Sequence, residues 1–300
     1  MKPHFELYGL IHVDAPQNTI EWEDARRGVI TGSNASFMRR SDGLTKQQRI
    51  YVDAQRVGKK SEAEARTLAG YKNAPKFASL DAAIAGTLSK EFGESAHTYA
   101  MDVARELEGG RLPDFFEGAA ARIGHEQEPM AAIAYTAKTD RELDEVGFIK
   151  TVDSRFGCSL DRIVAGARAA TEIKTMVSSS TLFKAIVSGD ISEYLDQCLF
   201  ALWLLTLDWI DLCLWSPDLN HLHIVRIERN EEQIQALEDD LMAFAGLVDD
   251  YRDRLRVAMG REPLRAPTTV TAAPATPIAA PAPAVPKPTA APAAIPAAAF

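Results

Sequence analysis

The sequence predicts an α/β protein with an appended tail, and three observations predict it. Short apolar runs at 146–151, 156–174, 210–215 and 221–228 are bounded by turn-forming residues, as strands are. Stretches at 89–108, 116–136, 191–207 and 234–255 place apolar residues at helical spacing. After Arg265 the composition changes to nine prolines and many alanines, with Lys287 as the only charge. A segment with so little to bury predicts a disordered, partly extended tail. The expected boundaries are a folded domain over 1–262 and a Pro/Ala-rich tail over 263–300.

Taken in order, residues 5–13 (FELYGLIHV) fit a strand or an early helix, and the pattern does not choose. Thr31, Ser33 and Asn34 precede an apolar residue, as helix N-cap residues do, and backbone N–H groups at such a start attract phosphate. Arg26 and Arg27 lie just upstream, which also fits an ordinary capped helix with surface arginines. Residues 41–90 predict surface helices and loops, broken at Ser41-Asp42-Gly43 and Asn73-Ala74-Pro75. Phe92, Tyr99, Val103 and Leu107 fit an amphipathic helix that Gly109-Gly110 ends. The next helix carries Glu128, and Ser178-Ser179-Ser180 predicts a loop and cap. The 191–207 helix is apolar nearly all round, which predicts burial against a sheet. Tyr194 and Gln197 sit one turn apart near its start. Pro217 and Asn220 supply the turn between the last two strands. The final helix spaces Ile234, Leu237, Leu241, Phe244, Val248, Tyr251 and Leu255 by threes and fours. That stripe reads as core by default, or else as a subunit contact.

Of the 300 residues 46% are hydrophobic, enough for a sizeable core. Cys158, Cys198 and Cys213 are odd in number and none is spaced as CxxC. A zinc ribbon, a four-cysteine iron–sulfur site and a disulfide framework are therefore poorly supported, and a reducing cytoplasm fits. MKPHFELYGL lacks the apolar centre of a signal peptide, and the most apolar stretch, 198–207, is too short to span a bilayer. A net charge of −9 looks wrong for a DNA-binding protein, but it is unevenly spread. Residues 21–76 hold 12 Lys/Arg against 7 Asp/Glu, whereas residues 228–254 hold 3 against 9. Such asymmetry allows one basic face on an acidic protein.

The stretch FGCSLDRIVAGARAATEIK, residues 156–174, holds two apolar runs separated by small residues. Side chains alternate along a strand, so Glu172 and Lys174 share a face while Ile173 points to the other. If the runs pair, Asp161 and Glu172 converge. Two carboxylates, a backbone carbonyl and waters suit a hard octahedral cation such as Mg²⁺, and a lysine beside it can orient or deprotonate water. That chemistry is metal-assisted phosphodiester hydrolysis. Alone, the same pattern also fits an exposed salt-bridged hairpin.

Five short motifs follow one another along the chain: W-x3-R-x-G-V-I-T-G-S from Trp22 to Ser33, G-x3-E-P-x-A from Gly124 to Ala131, S-L-D from Ser159 to Asp161, E-I-K from Glu172 to Lys174, and Y-x2-Q from Tyr194 to Gln197. Any one is weak, but their order is specific. The chain resembles the YqaJ-like viral recombinase family, the phage lambda exonuclease group, over roughly residues 20–40 and 90–260. The resemblance implies a restriction-endonuclease-like fold of the PD-(D/E)XK kind, a mixed central sheet flanked by helices. It implies digestion of linear double-stranded DNA from the 5′ end with Mg²⁺, for which Mn²⁺ can substitute. The product carries a 3′ single-stranded overhang for recombination by strand annealing. Lambda-type members are ring-shaped trimers that commonly work with a single-strand annealing protein, which points to a homotrimer in the cytoplasm of a bacterial host. Carried over residue by residue, Asp161, Glu172 and the Ile173 carbonyl hold metal, and Lys174 acts on the water nucleophile. Glu128 faces a second metal or its waters. Arg26, Ser33 and Ser159 hold the 5′-phosphate, and Gln197 supports the site from the helix behind it.

The chain departs from the family around the first acid, where proline and glycine are common and Leu160 and Arg162 stand here. The region 41–90 is also longer than in compact members, and the tail has no counterpart. Two alternatives within enzymes are an endonuclease and a RecB-like or CRISPR-associated nuclease of the same fold; the missing four-cysteine cluster argues against the iron–sulfur versions. A non-catalytic DNA-binding recombination scaffold is the alternative of another class, and the intact Asp161, Glu172 and Lys174 argue against it.

Overall fold

The computed structural model describes residues 9–17, 19–111 and 119–265. The expected tail falls almost wholly outside them, as do the starts of the 5–13 segment and of the 116–136 helix.

The chain enters on β1 (Leu10–Val13), which settles the ambiguous first segment as a strand, and crosses by α1 (Ile20–Arg26) to β2 (Ile30–Thr31) and a 3₁₀ helix, Gly32–Met38. Helices α2 (Lys46–Arg56), α3 (Glu62–Ala69) and α4 (Leu80–Ala85) follow. Thr45 and Ser61 open the first two with capping boxes completed by Gln48 and Glu64. Then come α5 (Glu94–Leu107), α6 (Ala119–Thr139), β3 (Leu143–Asp144), β4 (Phe148–Thr151), β5 (Phe156–Ser159), β6 (Arg162–Val164) and β7 (Ala169–Thr175). Helix α7 (Ser179–Leu182) runs into a π-helical turn, Phe183–Val187, and α8 (Ser192–Leu204), β8 (Trp209–Ser216), β9 (His221–Glu228) and α9 (Glu231–Ala258) complete the fold.

The strands form two mixed sheets, ordered β1-β4-β5-β2 and β3-β6-β7-β8-β9. The sequence reading treats 156–174 as one hairpin, and here the structure differs. Its first run is cut in two: β5 pairs with β4 and β2 in one sheet, whereas β6 pairs with β7 in the other. Leu160 and Asp161 are the link between them. Only Arg162↔Thr171 and Ile163↔Ala170 pair across β6 and β7, so the edge of β7 beyond Thr171 is open on that side. Its other edge is closed by parallel pairing to β8 from Ala169↔Trp209 to Thr175↔Trp215.

The five-stranded sheet is buried on both faces. Ile163, Ala170, Ile210, Leu212 and Leu214 pack with α5, α8 and α9. Val164, Ala169, Ile173, Cys213 and Trp215 pack with Ala131 and Tyr135 of α6. Two-sided burial makes β8 apolar at almost every position. The α9 stripe is core: Ile234, Leu237, Leu241, Phe244 and Val248 are buried, and Phe244 stacks on Tyr99 with centroids 5.5 Å apart. The charge asymmetry partly cancels inside the molecule, because Arg40 donates to the buried Asp240 of α9 at 2.8 Å and Arg39 lies 3.4 Å from it. Those two arginines are thereby drawn away from any basic face.

Candidate active site

Four elements meet where the two sheets are joined. Glu172 and Lys174 project from one face of β7 towards α8, as the period of two requires. Gln197, one turn after Tyr194 on α8, bonds both: its Nε2 donates to Glu172 Oε1 at 2.6 Å, and its Oε1 accepts from Lys174 Nζ at 3.2 Å. Lys174 Nζ is also 2.7 Å from Glu172 Oε1. Gln197 thus reaches both side chains directly from α8.

Asp161 approaches from the link between the sheets. Its Oδ2 accepts the Ile173 N–H at 2.5 Å across the open edge of β7. In an extended strand the N–H and C=O of one residue face the same edge, so the Ile173 carbonyl also faces the Asp161 side. Burial pushes the Asp161 carboxyl well above the usual carboxylate range, and the charges of Glu172 and Glu128 push it further; Lys174 and the Ile173 N–H oppose this and are outweighed. Lys174 is drawn down by burial, yet Glu172 and Asp161 outweigh that and raise its pKa. The site is acid-rich and under-compensated.

Glu128 reaches the cluster from α6, with Pro129 directly after it inside the helix. Its carboxylate is ion-paired with Arg162, whose Nη2 also lies 3.3 Å from Glu145 Oε1. Among the described residues no group of three His, Cys, Asp or Glu side chains gathers as a metal site. The available donor set is therefore the Asp161 and Glu172 carboxylates and the Ile173 carbonyl. Water-rich coordination by one or two carboxylates is the habit of Mg²⁺, and the mutual repulsion at Asp161 is what a cation would relieve.

A second cluster lies beside the acids. Arg26, near the end of α1, points Nη1 at Ser159 Oγ (3.5 Å) and Nη2 at Ser33 Oγ (3.4 Å). Its guanidinium stacks 4.1 Å from the Trp22 ring centroid, and Trp22 Nε1 donates to Ser159 Oγ at 2.8 Å. Burial lowers the Arg26 pKa, against the opposing influence of Tyr99, Cys158 and Glu106, but a guanidinium keeps its charge. No carboxylate forms a salt bridge with Arg26 among the described residues. The N-cap expectation for Thr31, Ser33 and Asn34 needs correction. Gly32–Met38 is a single short 3₁₀ helix, and Thr31 forms no side-chain cap. Thr31 belongs to β2, and its hydroxyl lies 3.1 Å from Tyr99 Oη and 3.2 Å from Ser33 Oγ. Gly32 permits this arrangement: a Cβ there would lie 2.8 Å from the Phe200 ring of α8.

One cavity of about 220 Å³ is lined by Arg26, Ser33 and Ser159 and also by Asp161, Glu172, Lys174 and Gln197. Cavities of about 340 and 270 Å³ adjoin Asp161 and Glu128. His125 lines all three. Sequence reasoning gave no role to His125, to Trp22 beyond its motif, or to Arg162 beyond a lost glycine. A signal existed for Trp22, which lies four residues before Arg26 on one helix and so faces the same way.

The family profile of the YqaJ-like viral recombinase domain matches residues 78–208. A search of curated proteins gives no match. Among solved structures, the chain is similar to an alkaline exonuclease, LHK-Exo, from Laribacter hongkongensis, at 22% identity and a TM-score of 0.56, covering 81% of this chain and 98% of that one. It is similar to the same enzyme in complex with dAMP at 22% identity and a TM-score of 0.57, with the same coverage. Arg26 and Ser33 lie before the matched family region. Residues 78–208, which hold Glu128, Ser159, Asp161, Glu172, Ile173, Lys174 and Gln197, are the part of the chain similar to the YqaJ-like viral recombinase domain, and the chain has the fold seen in the alkaline exonuclease structures.

Proposed function

We propose that this chain is a Mg²⁺-dependent 5′-to-3′ exonuclease that digests linear double-stranded DNA and leaves 3′ single-stranded overhangs for recombination by strand annealing. One observation carries the reading: a single cavity is lined both by a phosphate-type clamp, Arg26 with Ser33 and Ser159, and by the acids and lysine of phosphodiester hydrolysis. The family match and the alkaline exonuclease fold support nuclease chemistry.

Asp161, Glu172 and the Ile173 carbonyl are the residues that would hold Mg²⁺, or Mn²⁺ in its place. When bound, the cation would neutralise charge on the phosphodiester and activate the attacking water. The remaining work belongs to the chain. Lys174 directs an ammonium at the water or the phosphoryl oxygen, and Gln197 sets its position. A terminal phosphate carries more charge than an internal diester, so an arginine flanked by hydroxyls selects it. Arg26 stacked on Trp22 is a forked donor held in one plane, which a lysine could not reproduce. A 5′-phosphate held there positions the first internal linkage over the acids. A trimeric ring, a single-strand annealing partner and a bacterial cytoplasm belong to the same reading and are supported by the family match alone; no helix among the described residues is long and apolar enough to cross a membrane.

The test uses end-labelled linear duplex with Mg²⁺, comparing 5′-phosphate ends, 5′-hydroxyl ends and a closed circle, for wild type and Arg26→Ala. Wild type is expected to prefer the phosphorylated end by about tenfold or more, and the variant to be slow on both ends with the preference lost. Cutting of the closed circle at the same rate would transfer the proposal to an endonuclease of this fold.

A further inference from the structure

We infer that Arg162 takes the place of a second divalent cation, so that the centre holds one metal ion rather than two. The inference rests on the metal-dependent reading above and narrows it. Arg162 stands one residue after Asp161, at the first position of β6. Its side chain is 13% exposed and is held on three sides: by Glu128, by Glu145 Oε1 at 3.3 Å, and by the carbonyl oxygen of Asp161, to which Nη1 donates at 2.5 Å.

Glu128 lines two cavities together with Asp161 and its charge acts on that acid, so a second ion beside the cluster would be bound through Glu128, and here its charge is already met. The Glu128 side chain is 16% exposed, so its ion pair with Arg162 is largely shielded from water. A partly buried guanidinium–carboxylate pair is not surrendered cheaply, because parting it leaves a charge without a partner away from solvent. A cation arriving at Glu128 would also meet the fixed positive charge of Arg162, whose other carboxylate partner among the described residues is the largely exposed Glu145. In the other donor set Glu172 is paired with Lys174 at 2.7 Å, but among the described residues neither the Asp161 carboxylate nor the Ile173 carbonyl is paired with a cationic side chain. Glu172 is bonded by Lys174 and Gln197, and Asp161 by a backbone N–H, so Arg162 touches neither carboxylate. The consequence is a division of labour within one acidic cluster, with a mobile cation on one side and a covalently tethered one on the other.

The experiment counts Mn²⁺ bound to the full chain by electron paramagnetic resonance and calorimetry. It is done with and without a 5′-phosphorylated duplex whose first linkage is a phosphorothioate. Wild type is expected to bind one Mn²⁺ per chain in both states. Glu128→Gln should keep that ion with less than about a threefold change in affinity, whereas Glu172→Gln should lose about tenfold or more. Arg162→Gly, checked for folding by circular dichroism, should gain a second, weaker ion that the additional change Glu128→Gln removes. Two ions on the wild type, or loss of the single ion in Glu128→Gln, would overturn the inference and leave the metal-dependent reading intact. No Mn²⁺ on the wild type would overturn both.

Discussion

Asp211 and Asp161 lie on or beside neighbouring strands of one sheet, and their surroundings are opposite. Asp211 of β8 sits opposite Thr171, one residue from Glu172 in the ladder. It is 1% exposed, and its acceptors are filled: Tyr135 Oη donates to Oδ2 at 2.8 Å, and Arg226 donates from Nε and Nη2 at 2.9 Å each. Arg226 in turn lies 3.7 Å from the Trp209 ring centroid. Burial, then the bond to Asp211, raises the Tyr135 pKa and keeps its proton in place. Asp161 receives one backbone N–H, faces two other carboxylates and borders three cavities. A buried acid with donors on both oxygens serves the fold. An acid left short of donors, among like charges and beside open space, is a candidate for holding a ligand.

The largest effects should come from the under-satisfied cluster and appear in activity. Asp161→Ala, Glu172→Ala and Lys174→Ala are each expected to slow digestion by about 10³-fold or more while the circular dichroism spectrum is unchanged. Near-normal digestion by Glu172→Ala would remove the site assignment. Asp211→Ala should do the reverse. It strands the Tyr135 hydroxyl and frees Arg226, at a cost of about 3 kcal/mol and a fall in Tm of roughly 6–12 °C. Digestion per folded molecule, measured well below that Tm, should stay within about threefold of wild type.

The smallest effect sharpens the contrast by sign. The Asp161 pKa is raised in the folded state, so the folded protein binds more protons than the unfolded chain between the two pKa values. Stability therefore falls as pH rises through that window. In EDTA at about pH 8, Asp161→Asn should melt above wild type by roughly 2–4 °C, and the two should converge near about pH 4. Mg²⁺ should raise the wild-type Tm and leave that of the variant nearly unchanged. Calorimetry across the pH series checks all three statements.

Glu172 and Lys174 of β7, Arg26 of α1 and Gln197 of α8 were legible because each lies in a short motif whose spacing carries its geometry. Glu172 and Lys174 share a face whatever the sheet around them. What was not legible depended on partners far along the chain. The run from Phe156 to Val164 reads as one stretch with no Pro or Gly at the point of change, yet β5 and β6 belong to different sheets because β2 and β7 recruit them separately. Asp211 lies in a run that reads only as a strand, and its burial goes with the bond from Tyr135, 76 residues away. Arg162 reads as a missing glycine, since its partner Glu128 is 34 residues distant on another helix. Thr31 reads as a cap, and the phenol that claims its hydroxyl is 68 residues later.

The link Leu160–Asp161 also has a bearing on how the protein comes to be folded. Asp161 meets the Ile173 N–H across a separation of 12 residues, whereas Arg26 meets Ser159 across 133. Closing the longer loop costs roughly 2 kcal/mol more in chain entropy, and non-local contacts form late. On a chain emerging from the ribosome, the acidic half can therefore close on itself as soon as β6 and β7 are free. The half that would admit a DNA end waits for the N-terminal segment to be brought back. Assembly in that order would leave the acids in place before any strand could be held against them.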